Sequence, residues 1–148
     1  MMIIAVDFDG TIVTHEYPRI GKDIPFAIDT LKKLQSEHFF RLIMWTVREG
    51  KELQEAVEYC RARGLEFYAV NSNYPEESPE HNEPRKLKAD LFIDDRNLGG
   101  LPDWGVIYQM LSSGNHFNLE AFSTPYHDKI SAKGKPRKKG GLLNNFFG

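Results

Sequence analysis

Ile3-Ile4-Ala5-Val6-Asp7-Phe8-Asp9-Gly10-Thr11 is an apolar run that ends in two carboxylates, a glycine and a threonine. The run is short, rich in β-branched residues and bounded by Gly10, which predicts a fully buried strand over residues 3–8. Asp7 and Asp9 stand two residues apart, so in extended chain they point to one side. Gly10 then allows a sharp turn that a residue with a Cβ resists. Two acids are thereby set at the mouth of a sheet, where α/β proteins bind their ligands. One suits a nucleophile or metal ligand and the other a proton carrier.

Outward from this stretch, apolar strands alternate with helical patterns. Pro25 opens a helix to about His38, with Asp23 as its expected cap and Ile28, Leu31, Leu34 and Gln35 as its stripe. Residues 39–45 read as a second strand. A helix follows over 51–63, with Leu53, Ala56, Val57 and Cys60 inward and Gly64 as its stop. Residues 65–70 read as a third strand, 91–93 as a fourth and 102–111 as a last helix. Residues 11–24 and 71–88 read as loops, the latter rich in Pro and Glu. This alternation predicts an α/β fold with a parallel sheet and helices on both faces.

At 148 residues the chain suits one domain with a substantial core. No apolar run approaches the roughly 20 residues that cross a membrane, and the start has no basic leader, so a cytoplasmic protein is expected. Cys60 is the only cysteine, which excludes a disulfide framework or a thiolate zinc site. The net charge of −2 hides a split: residues 1–122 carry 13 basic and 20 acidic side chains. Residues 123–148 carry six basic side chains against Asp128. A domain over 1–122 followed by a basic, flexible tail over 123–148 is the expected organisation.

Three strand ends bear groups with chemical potential: Asp7 and Asp9, then Thr46, then Asp94 and Asp95. Lys86 and Lys88 precede the fourth strand. In a parallel sheet all these ends share one edge. Singly, each has an ordinary explanation as a helix cap or turn residue. Their joint occurrence is harder to explain that way.

Asp-x-Asp-Gly-Thr after the first strand, a hydrophobic run ending in Thr, a Lys, and Asp-Asp after a later strand resemble the haloacid dehalogenase-like hydrolases, over about residues 1–112. The resemblance implies a three-layer Rossmann-like sheet and Mg²⁺-dependent phosphoryl transfer through an aspartyl-phosphate. It makes Asp7 the nucleophile and a metal ligand, with the Asp9 backbone carbonyl, Asp94 and Asp95 completing the metal set. It makes Asp9 the general acid and base, as in the phosphatase branch. Thr46 would hold a phosphoryl oxygen and Lys86, favoured over Lys88, would neutralise charge. Arg48, Gly10 and Thr11 are the expected substrate-binding positions. His15 is left outside the catalytic set, and Asn71 and Asn73 are read as turn residues.

The loops at 11–24 and 71–85 are too short for a cap domain, so the chain resembles capless members, with an open site whose walls come from loops or from another subunit of a homo-oligomer. The loop Asn73-Tyr74-Pro75-Glu76-Glu77-Ser78-Pro79-Glu80 is an expected partial lid. The expected substrate is a phosphorylated small molecule, with a nucleotide or polynucleotide-end phosphatase as the enzyme alternative, which the basic tail permits. A phospho-Asp signalling module is the alternative of another class. Its usual order of motifs differs, however, and Asp9 argues for turnover. No Gly-x-x-x-x-Gly-Lys is present, which excludes a P-loop hydrolase.

Overall fold

The first apolar run lies at the centre of the sheet because nothing in it tolerates water. In the computed structural model, which describes residues 1–77 and 85–117, β1 (Ile3–Val6) buries Ile4, Ala5 and Val6 almost completely. It is followed by α1 (Ala27–His38), β2 (Arg41–Met44), α2 (Gly50–Arg61), β3 (Ala69–Val70), β4 (Leu91–Ile93) and α3 (Trp104–Ser112). The strands form one sheet in the order β3-β2-β1-β4, parallel throughout. This is an α/β architecture compatible with a Rossmann-like layered fold.

Alternation along β1 separates two cores. Ile4 and Val6, with Leu42 and Met44 of β2, face α1, α2 and α3 through Leu31, Leu34, Ala56, Cys60, Trp104 and Ile107. Ala5, Ile43 and Ala69 point the other way. Among the described residues, that second face is packed by Leu87 and Ala89 on the chain leading into β4, and not by a helix. Residues 78–84 and the whole of the expected tail, 123–148, lie outside the described residues.

Several elements are shorter than their patterns. β1 stops at Val6, two residues early, since Phe8 accepts three backbone N–H groups and turns the chain. β3 keeps only two of six expected residues. The expected Asp23 cap is a correction. α1 starts at Ala27, behind Phe26 in the left-handed region, with no side-chain cap. The Asp23 carboxylate accepts instead from the Tyr59 hydroxyl and Arg63, tying the first loop to α2. Residues 11–24 form a small hairpin-like excursion, in which Thr14 N–H bonds the Lys22 carbonyl and Ile24 N–H the Ile12 carbonyl.

For function the decisive feature is register. Val6 pairs with Met44 and Ile93, and Met44 pairs with Val70, so four strands end on one row. The ladder runs one step further: Asp7 N–H bonds the Ile93 carbonyl, Trp45 N–H that of Val6, and Asn71 N–H that of Met44. Asp7, Thr46, Asn71 and Asp94 therefore share one rim.

Candidate active site at the carboxyl rim of the sheet

Asp7 leaves β1 at that rim, and two further acids close on it. Oxygens of Asp7, Asp94 and Asp95 lie within 4.8 Å of one another. Thr11 links them. Its hydroxyl donates to Asp7 Oδ2 at 3.0 Å and accepts from the Asp95 backbone N–H at 3.1 Å. The Thr11 carbonyl accepts from the indole N–H of Trp104 at 3.0 Å, so α3 braces the turn from below. Thr11 is fully buried and so is a brace, not the substrate-binding group expected for it. Gly10 has a similar part. Its φ of +86° is in the left-handed region, and a Cβ there would run into the Asp95 carboxylate. It makes room for an acid.

Burial, followed by the charges of Asp94 and Asp95, pushes the Asp7 carboxyl up to about 7, against bonds from Phe8 N–H and Thr11 that favour its ionised form. Three acids this close call for a compensating cation. The residues fit one on two counts. All donors are hard oxygens, as a small divalent ion prefers. In addition, Asp95 Oδ1 is buried with no hydrogen-bond partner among the described residues, which is costly unless something charged meets it.

Asp9 is placed differently. Its carboxylate is outside that group and turned to Arg48, with Nε to Oδ2 at 2.6 Å and Nη2 to Oδ1 at 2.7 Å. Arg48 is 0% exposed, Asp9 6%. The other N–H groups of Arg48 go to the carbonyls of Pro18 (3.0 Å), Arg19 (2.9 Å) and Glu52 (3.5 Å), so all five donors are used. Its guanidinium also lies 5.2 Å from the centroids of Phe8 and Tyr17. The expectation that Arg48 binds substrate is corrected: its charge is spent on Asp9 and on the loop carbonyls. Of the expected metal ligands, Asp9 is left with its backbone carbonyl alone.

Thr46 stands on the rim as expected. Its N–H donates to Asn71 Oδ1 at 2.8 Å, and its hydroxyl oxygen accepts from Arg48 N–H at 3.2 Å, leaving the hydroxyl proton for a ligand. Asn71, in the left-handed region, thus fixes Thr46 from the end of β3. Among the described residues that line the cleft over this rim there is no lysine. Lys86 is exposed, with its ammonium 5.7 Å from the Phe92 ring, and Lys88 donates its backbone N–H to Asn73. The loop from Asn73 is tied to its return by Glu77, which bonds Asn73 and pairs with Arg85.

An open cleft of about 280 Å³ lies over the rim, lined by Asp7, Asp9, Thr46 and Asp94, by the apolar Tyr17, Trp45 and Val47, and by His15 and Arg96. Arg96 Nη2 is 3.3 Å from His15 Nε2. Sequence reasoning set His15 aside and passed over Arg96, Tyr17 and Val47. Adjacency to the Asp94-Asp95 pair was the available signal for Arg96. Nothing marked the other two.

No protein-family model matches the chain, and no curated protein matches it. A solved structure described as a conserved protein coded by a locus from Bacteroides thetaiotaomicron is 65% identical, with a TM-score of 0.70. The match covers 76% of this chain and 91% of that one. The chain belongs to the same family as that Bacteroides protein.

Proposed function

We propose that the protein is a Mg²⁺-dependent phosphohydrolase of the haloacid dehalogenase-like type, working through an aspartyl-phosphate on Asp7. One observation carries this reading: a strand-end carboxylate fixed by Thr11, with two further carboxylates within 4.8 Å, faces an open cleft. Asp7, Asp94 and Asp95 would hold the cation, which neutralises charge on carboxylates and phosphate when bound. Asp7 Oδ attacks phosphorus and the bond to the leaving oxygen breaks. Thr46 donates its hydroxyl proton to a phosphoryl oxygen. Water then attacks phosphorus, releasing inorganic phosphate and restoring the Asp7 carboxylate. Most acceleration in such transfers comes from positioning and electrostatics, which suits a rigid rim. Arg96 lines the cleft and is a candidate to offset their charge.

The general acid and base role of Asp9 needs its carboxylate to leave Arg48. That same pairing favours a second reading, a phospho-Asp module whose acyl-phosphate is slow to hydrolyse. Phosphate release from a panel of phosphomonoesters with Mg²⁺ tests the first reading, with Asp7→Asn as control. Turnover lost in Asp7→Asn supports it. Stoichiometric phosphorylation without turnover supports the module, and equal release by both proteins refutes the role of Asp7.

A further inference from the structure

We propose, on the phosphohydrolase reading, that the substrate is an aryl phosphate monoester, whose phenolic oxygen leaves without a proton from the protein. Two independent observations converge on this class. The first is the commitment of Asp9. A carboxylic acid that protonates a leaving group must turn an O–H toward it, and both Asp9 oxygens accept from Arg48. Arg48 is fully buried with every donor used, so freeing Asp9 would strand a buried guanidinium. Among the described residues that line the cleft, no carboxylate other than Asp9 stands outside the metal-holding group, and His15 Nε2 faces Arg96 Nη2 at 3.3 Å, from which it accepts. Phenolates leave readily because phenols titrate near about 10, while alkoxides are far more basic.

The second observation is the cleft wall. Tyr17, Trp45 and Val47 line the same cleft as Asp7, with Tyr17 52% and Val47 77% exposed. The Arg48 guanidinium lies 5.2 Å from the centroid of the Tyr17 ring. Exposed aromatic and branched side chains beside a charged floor suit a flat apolar group bonded to a phosphate. In the reaction the Asp7 oxygen forms a bond to phosphorus as the phosphorus–oxygen bond to the ring breaks. The phenolate leaves with the electron pair and takes a proton from solvent. Water then cleaves the acyl-phosphate, giving phosphate and a proton.

Phenyl, benzyl and ethyl phosphate with Mg²⁺ separate the two features. Benzyl phosphate keeps the ring but must expel an alkoxide. An enzyme whose Asp9 is committed to Arg48 should turn it over at least about 100-fold more slowly than phenyl phosphate, the low end of what general acid catalysis supplies. A smaller difference in kcat overturns the assignment. Tyr17→Ala should raise KM for phenyl phosphate about 2- to 10-fold and leave that for ethyl phosphate unchanged. Val47→Ser, at an exposed position that carries no fold, should give the same split. Equal changes for both esters refute the wall. Failure of the underlying reading looks different: no hydrolysis of any of the three, by wild type or variant, removes the phosphohydrolase and this inference with it.

Discussion

Replacing Arg48 by methionine keeps much of its volume and removes only its charge and donors. Asp9, 6% exposed, then loses two bonds of 2.6 and 2.7 Å, and the Pro18 and Arg19 carbonyls lose theirs. Breaking one partner of a buried ion pair costs about 3–5 kcal/mol, because the other charge is left without compensation. Exposed pairs such as Lys51–Glu55, at 3.6 Å, contribute under about 1 kcal/mol and set the contrast. For a chain of this size the loss corresponds to a fall of about 6–20 °C in Tm. Urea unfolding followed by far-UV circular dichroism and tryptophan fluorescence should show a lower midpoint at unchanged slope. Arg48→Lys should recover only part, since an ammonium cannot meet both oxygens in parallel. In Asp9→Asn/Arg48→Met the second substitution should cost much less than the first, with a coupling above about 1.5 kcal/mol. If Arg48→Met lies within about 1 kcal/mol of wild type, the pair is not the anchor described and Arg48 is free to meet substrate.

Two further outcomes follow from the acidic group. Asp7 has its carboxyl raised from 3.8 to about 7, so the folded, metal-free protein keeps a proton that the unfolded chain releases. Its stabilising contribution is full below about pH 4 and is lost as pH rises to about 7, a change of order 3 kcal/mol. Urea midpoints in a chelator at pH 5 and 7.5 should differ in that direction, with Mg²⁺ restoring the higher-pH value and Asp7→Asn flattening the slope. Gly10→Ala puts a Cβ against the Asp95 carboxylate at a φ of +86°. It should cost about 1–3 kcal/mol and weaken Mg²⁺ binding by calorimetric titration; unchanged affinity would separate Gly10 from the site.

The sheet was legible because Ile3-Ile4-Ala5-Val6 reads as a fully buried strand, and acids at its end mark a ligand rim. The convergence of Asp7, Thr46 and Asp94 follows from parallel pairing alone, and the register bears it out. Three things were hidden. β3 dwindles to Ala69–Val70, since a strand at the sheet edge needs fewer pairings than its composition suggests. Asp23 looked like a helix cap from local spacing, yet a distant tyrosine and arginine claim it. Arg48 lies 39 residues from Asp9, and its burial depends on loop carbonyls at 18 and 19 that no side-chain pattern reveals. A charged residue two positions past Thr46 reads as a substrate-binding group until the fold closes over it.

The direct test of the nucleophile is chemical trapping. Wild-type protein reacting with phenyl phosphate and Mg²⁺, quenched with borohydride and mapped by peptide mass spectrometry, should carry homoserine in place of aspartate at position 7. Phosphate release without that reduction, or with it at another carboxylate, would contradict the assignment of Asp7.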